Sequence, residues 1–294
     1  MRNPFYLFLL LTLTACGGPK EPSGPAVVVY ASESDPANLH ELFVAFTAET
    51  AIPVDAIWGA SSENAEALIA KQGVPADVLI TPNVSDIWRA ADQGALRPIR
   101  GEPIESVHGA FKDPDSFWVA LQSRSAVITV SPHSATQYLG GYEGLGSYQG
   151  ELCLSAINNS INQAVIAMLI DDIGVKPAER VVRAWMRNME RSPFETEDEL
   201  VAALEAGDCE IGIISDKANT VEMLQVIPTP LYMEVSAMGV GRHANNPERA
   251  QQLIDWLIVN KPLEDLAEWK GRNMGVAGWR HAEVLLLAER AGYH

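Results

Sequence analysis

The sequence predicts an α/β protein divided into two lobes, and three observations carry that prediction. Strand-like and helix-like segments alternate from Ala26 onward, a Pro- and Gly-punctuated stretch over 93–117 interrupts the alternation, and a comparable series resumes beyond it. With 294 residues, 47% of them hydrophobic, the chain can bury a substantial core. Its formal charge of −17, without a long acidic run, suits a solvated surface and excludes the clustered Lys and Arg of a nucleic-acid footprint.

The first element is a processing signal. Arg2 precedes an apolar run over 5–13 that is too short to span a bilayer, so residues 1–15 are expected to be a signal peptide. Leu13, Thr14, Ala15 and Cys16 resemble the bacterial lipobox, in which the cysteine is lipidated and becomes the mature N-terminus. Residues 16–25, rich in Gly and Pro, then form a flexible tether. With Cys16 acylated, Cys153 and Cys209 remain as an even pair in an oxidising compartment, either as a disulfide or as two buried thiols.

Three βα units follow. Strand-like 27–30 precedes a helix with Leu39, Leu42, Phe43 and Phe46 on one face; strand-like 52–58 precedes a helix with Ala65, Leu68 and Ile69; strand-like 77–80 precedes one with Val84, Ile87 and Trp88. Such units imply a mostly parallel sheet covered by helices. Residues 118–130 read as a strand entering the second lobe, where strand 152–155, helices over 160–170, 177–190 and 196–206, and strand 210–214 succeed one another. Segment 232–241 returns as a strand to the first lobe, followed by a Pro-started helix carrying Ala250, Leu253, Ile254 and Leu257. The N-terminal lobe is thus expected over 26–120 and 232–268, the C-terminal lobe over 121–231 and 269–294.

Ligands of open α/β sheets sit beyond the carboxyl ends of strands, among loops and helix N-termini. The loops in that position are 31–35, 59–64 and 81–85 in the first lobe, and 156–163 and 215–219 in the second. They supply the candidate ligand-binding residues Ser34, Asp35, Ser61, Ser62, Thr81, Asn83, Asn159, Ser160, Asp216 and Lys217. Facing loops on two lobes make a cleft that can close about a hinge.

Several segments, in this order and spacing, resemble the ferric-iron-binding proteins of bacterial ABC importers, in particular the branch with a cysteine pair in the second lobe. They are Pro75 through Thr81, Trp88-Arg89-Ala90, Gln122 through Val127, Cys153 through Asn162-Gln163, Ala206 through Ile214, and Ser236 through Pro247. The resemblance covers nearly the whole mature chain. It implies a type II periplasmic-binding-protein fold with strands crossing between the lobes, a Cys153–Cys209 disulfide, an ABC permease as partner, and a monomeric extracytoplasmic protein, which the lipobox-like residues would anchor to a membrane by a lipid. It also implies an iron held mainly by tyrosine phenolates with the help of an anion.

The chain departs from the family at that last feature. After Ile214 the family's adjacent tyrosines are replaced by Ser215-Asp216-Lys217-Ala218-Asn219-Thr220, and the tyrosine that precedes Asn-Gln in the second-lobe helix is Ile161. The first-lobe His or Tyr falls in Glu33-Ser34-Asp35. Ferric iron is a hard cation that needs anionic oxygen donors, and Ile161 and Ala218 have none. Glu33, Asp35, Glu63 and Asp216 could rebuild an oxygen-donor site, although a solvated surface carboxylate is the commoner role in so acidic a chain.

Arg124 matches the family's arginine for the partner anion, and its guanidinium suits a bidentate carboxylate or phosphate; a structural ion pair is the competing role. Asn158, Asn159, Ser160, Asn162 and Gln163 crowd a helix start beyond what capping requires. With Arg124, Lys217 and Asn219 they point to an organic anion or an anionic iron chelate as transported ligand, with no resident cofactor. His40, His108, His133, His243, His281 and His294 lack metal-ligand spacing, and Gly140 through Gly146 reads as a turn. Tyr138, Tyr142 and Tyr148 in that region are the alternative phenolates. No nucleophile, base and orienting group assemble from the sequence, so no enzyme is expected. The reading from a different class is a lipoprotein that keeps the fold as a sensor or accessory subunit.

Overall fold

The computed structural model describes residues 22–34, 37–134, 138–218, 220, 223–263 and 272–294. The signal peptide, Cys16, most of the tether, Asp35 and Asn219 lie outside the described residues.

Three βα units open the fold: β1 (Val27–Ala31), α1 (Leu39–Thr50), β2 (Val54–Trp58), α2 (Ser61–Ala70), β3 (Val78–Thr81) and α3 (Val84–Asp92). Strand β2 starts two residues later than the apolar run suggests. Pro53 has no N–H to give a ladder, and the Ile52 amide turns back to the Thr50 hydroxyl at 3.1 Å. Strand β3 starts one residue later than expected, just after buried Asp77, whose carboxylate accepts from the backbone N–H of Val28 and of Asn246, at 3.0 and 2.8 Å. The punctuated stretch holds only short elements, β4 (Leu96–Arg97) and α4 (Glu102–Ser106).

The long strand β5 (Val119–Val130) leads to β6 (Leu152–Cys153), α5 (Ser160–Ile173), α6 (Val175–Asn188), α7 (Glu197–Ala206), β7 (Ile211–Ser215) and β8 (Leu224–Val226). Then come β9 (Tyr232–Gly241), α8 (Pro247–Asn260), α9 (Val276–Trp279) and α10 (His281–Ala291). The strands run in the order β2-β1-β3-β9-β5-β7-β6, with β4 on β9 and β8 on β5. Pairing is parallel within β2-β1-β3 and between β6 and β7, and antiparallel wherever β5 or β9 takes part.

This is the two-lobed type II architecture with crossing strands. Strand β9 pairs with β3 through Ala237 to Val240, and β5 pairs with β7 through Ala126 to Val130. The intervening stretches pair only with each other, Gln122 through Ser125 against Ser236 through Met233. One core lies between the first sheet and α1 and α8, with Val29, Phe46, Ile80 and Leu253 fully buried; Ile128, Leu152, Val165 and Trp185 belong to a larger core that runs on without a break to Leu79, Val84 and Ile87 of the first lobe. Helix α9 lies on α3, while α10 lies on α5 and α6.

Candidate functional site

Helices α2, α3, α5 and α10 all begin at one cleft of about 420 Å3. Ser61 and Ser62 open α2; Asn83 caps α3, and Ser85 and Asp86 sit in its first turn; Ser160 opens α5; His281 opens α10. Ser34, Pro82, Asn158, Gln163 and Arg124 complete the lining. Helix N-termini carry the positive end of the backbone dipole, so their convergence favours negative charge in the space between them.

Arg124 stands on β5 within the crossing. Its Nη2 donates to the Pro82 carbonyl at 3.2 Å and to the Ser160 hydroxyl at 2.9 Å, reaching the first lobe's α3 loop and the second lobe's α5. No ion pair fixes it at contact distance among the described residues. Asp86, the cleft's own carboxylate, is already engaged: it accepts from the Ser61 hydroxyl at 2.6 Å and the Asn83 amide at 3.0 Å, and Arg89 stands 3.5 Å away. His281 is partly buried, and burial holds its imidazole below the ordinary histidine range, favouring the neutral ring. The polar lining is therefore a set of hydroxyls and amides around one guanidinium, with the Asp86 carboxylate and the His281 ring beside it.

The structure brings Ser34, Ser61, Ser62, Asn83, Arg124 and Ser160 together in this cleft. Thr81 instead is fully buried and donates to the Asn83 carbonyl at 2.6 Å. Asn159 caps α5, its Oδ1 accepting from the N–H of Ile161 and Asn162 at 2.9 and 3.4 Å. Asp216 accepts from the Ser125 N–H at 2.8 Å, tying the end of β7 to β5. Lys217 is exposed, and neither it nor Ala218, which packs beside the cysteine pair, lines the cleft. Glu33 pairs with His40 at 3.4 Å on the surface, and Glu63 is exposed. Ser85 closes the loop 81–85 named from the sequence, whereas Asp86 and His281 join the site without a sequence signal: nothing local announces that α10 begins at the cleft, and only tertiary packing swings His281 over α3.

Every tyrosine among the described residues spends its hydroxyl inside the fold. Tyr138 donates to the Gly141 carbonyl at 2.6 Å, Tyr142 to the Ala126 carbonyl at 2.6 Å and Tyr148 to the Glu210 carboxylate at 3.0 Å. Tyr30, Tyr232 and Tyr293 do the same to Val74, Asp172 and Ser155. Burial pushes the Tyr138 phenol up to about 12 and raises those of Tyr142 and Tyr232 still further, so none of these three is poised to ionise.

Cys153 and Cys209 form a disulfide with Cα atoms 5.9 Å apart, joining β6 to the residues before β7. It is buried among Val127, Leu200, Leu204 and Ile214. No helix among the described residues is long and apolar enough to cross a membrane.

The family model described as bacterial extracellular solute-binding protein matches residues 27–261. Iron uptake protein A1 of Synechocystis is 26% identical, the match covering 87% of this chain and 79% of that protein. Among solved structures, a Trichodesmium protein (IdiA, FutA) in complex with iron and citrate superposes with a TM-score of 0.79 at 23% identity, over 92% of this chain and all of that one. The ferric binding protein of Campylobacter jejuni gives 0.80 at 16% identity, over 91% and 100%.

Proposed function

Because the chain belongs to the bacterial extracellular solute-binding proteins, we propose that it captures a small oxygen-rich anion, or an anionic iron chelate, for an ABC importer. Membership makes it a binding protein rather than an enzyme. The observation that carries the ligand class is Arg124, bonded to Pro82 and Ser160 from the strand that joins the lobes, where four helix N-termini converge. The iron-uptake relative and the relative solved with iron and citrate favour an iron complex over other anions. The internal bonds of the tyrosines disfavour a bare ferric ion, since phenolates would have to be freed from the core.

The lobe division at 26–120 with 232–268, and 121–231 with 269–294, fits the crossing of β5 and β9, with the ligand held between the two parts. A lipid on Cys16 would keep a monomer at the extracytoplasmic face beside its permease; that reading rests on the lipobox-like sequence alone, and a Cys16→Ser protein is expected to leave the membrane fraction.

The test of the ligand is a calorimetry and thermal-shift panel of ferric iron, ferric citrate, phosphate, phosphonates and small carboxylates. An anionic ligand or ferric citrate should bind, and Arg124→Ala should weaken it by about 2 kcal/mol or more, the usual cost of removing a charge-assisted hydrogen bond. Tight binding of ferric ion with a visible iron-to-tyrosine charge-transfer band, undiminished in Arg124→Ala, would return the protein to the phenolate carriers.

A further inference from the structure

Beneath the cleft lies a charged group that sequence patterns do not single out. Glu234 is 1% exposed and stands on β9 directly opposite Arg124 on β5, within the crossing stretch. Cross-strand partners project from the same face of a sheet. The Glu234 Oε1 accepts from the N–H of Val84 at 3.0 Å and of Val235 at 2.9 Å. Val84 is the first residue of α3, so the carboxylate also anchors the helix whose first turn forms one wall of the cleft. Two charged groups act on it from the packed elements, Arg124 of β5, which favours its ionised form, and Asp86 of α3, which opposes it; His281 of α10 faces Asp86 across the cleft.

We infer that Glu234 is the counter-charge that sets the affinity of Arg124 for anions, and that capture of an anion draws a proton onto Glu234. The inference rests on Arg124 being the anion contact. In the empty cleft an ionised Glu234 partly neutralises the guanidinium. An anion arriving on Arg124 adds a second negative charge in a poorly solvated region, and protonation of Glu234 relieves the repulsion. Burial already pushes this carboxyl up to about 7, so a modest further rise moves its titration across neutral pH. The sign follows: the anion-bound form holds the proton more tightly, so affinity is highest below about 7 and falls as pH rises through the bound-state midpoint.

Sulfate, which keeps both charges across this range, is the probe. Calorimetry in buffers of contrasting ionisation enthalpy should show proton uptake near neutral pH, with binding about tenfold tighter near pH 6 than near pH 8.5, one unit of midpoint shift being a factor of ten. In Glu234→Gln, whose carbonyl can still accept both N–H groups, affinity should stay at the low-pH value throughout. The infrared carboxyl band of the unmutated protein needs no variant; it should titrate near neutrality and move up on adding sulfate. Sulfate binding that Arg124→Gln abolishes, but that takes up no proton, overturns the linkage and leaves the anion site standing. Absence of Arg124-dependent sulfate binding overturns both.

Discussion

At the scale of single residues, burial decides which polar groups are free to meet a ligand. Glu234 holds a proton more readily folded than unfolded, so its contribution to stability is full below the ordinary carboxylate range and is lost as pH rises from there through about 7. Glu234→Gln is therefore expected to raise the melting temperature near pH 8 and to leave it nearly unchanged near pH 4, with a gain of about 1–3 kcal/mol as an upper range; equal effects at both values would rule out titration as the cause. Ile161 behaves in the opposite way. It is 1% exposed and packed in the core, so Ile161→Tyr should cost about 1–3 kcal/mol through overpacking, measurable by urea titration, and should not create an iron site. Ser160 and the serines of α2 were legible in the sequence because helix starts that follow strands are where such ligands sit, and Arg124 through its match to the family's arginine. Glu234, Asp86 and His281 were not, since nothing local in a strand or a first helical turn shows which charges a distant helix will bring alongside.

At the scale of elements, the same polar residue types serve two purposes that composition cannot separate. Asn159 closes the N-terminus of α5 through two backbone N–H groups, which leaves Ser160 at the cleft. Asn159→Ala should lose about 1 kcal/mol, and Asn159→Asp should restore stability without weakening the bound anion; a large loss of affinity in the aspartate variant would instead place residue 159 against the ligand. The βα units of the first lobe, α5, α7 and β9 match their hydrophobic periods closely. The short strands β4 and β8 are illegible in the sequence because two or three residues carry no period, and each exists only by pairing with β9 or β5. The disulfide ties β6 to β7 across a separation of 56 residues, and in the chain-entropy picture closing a loop of that size stabilises by about 4 kcal/mol. Intact mass with and without reductant should show one bond, and Cys153→Ser with Cys209→Ser should lower the unfolding midpoint accordingly.

At the scale of the whole molecule, the two halves are built from discontinuous stretches of chain and meet through two strands whose middle portions bond only to each other. Arg124 and Glu234 lie in that portion, so the groups proposed to sense the anion are also the ones that any rotation between the halves must carry. Small-angle scattering should show a smaller radius of gyration with a bound anion than without, and Arg124→Ala should abolish the difference. The placement of β9 bears equally on how the chain comes into being. Strands β1, β2 and β3 are synthesised within the first third of the sequence, yet the edge of β3 is covered only by residues 237–240, and Asp77 finds Asn246 only after them. The first lobe cannot complete its sheet until most of the polypeptide has been made. Such long-range pairing makes folding slow. A chain cut short before residue 237 would therefore leave the edge of β3 unpaired and the Asp77 carboxylate without Asn246.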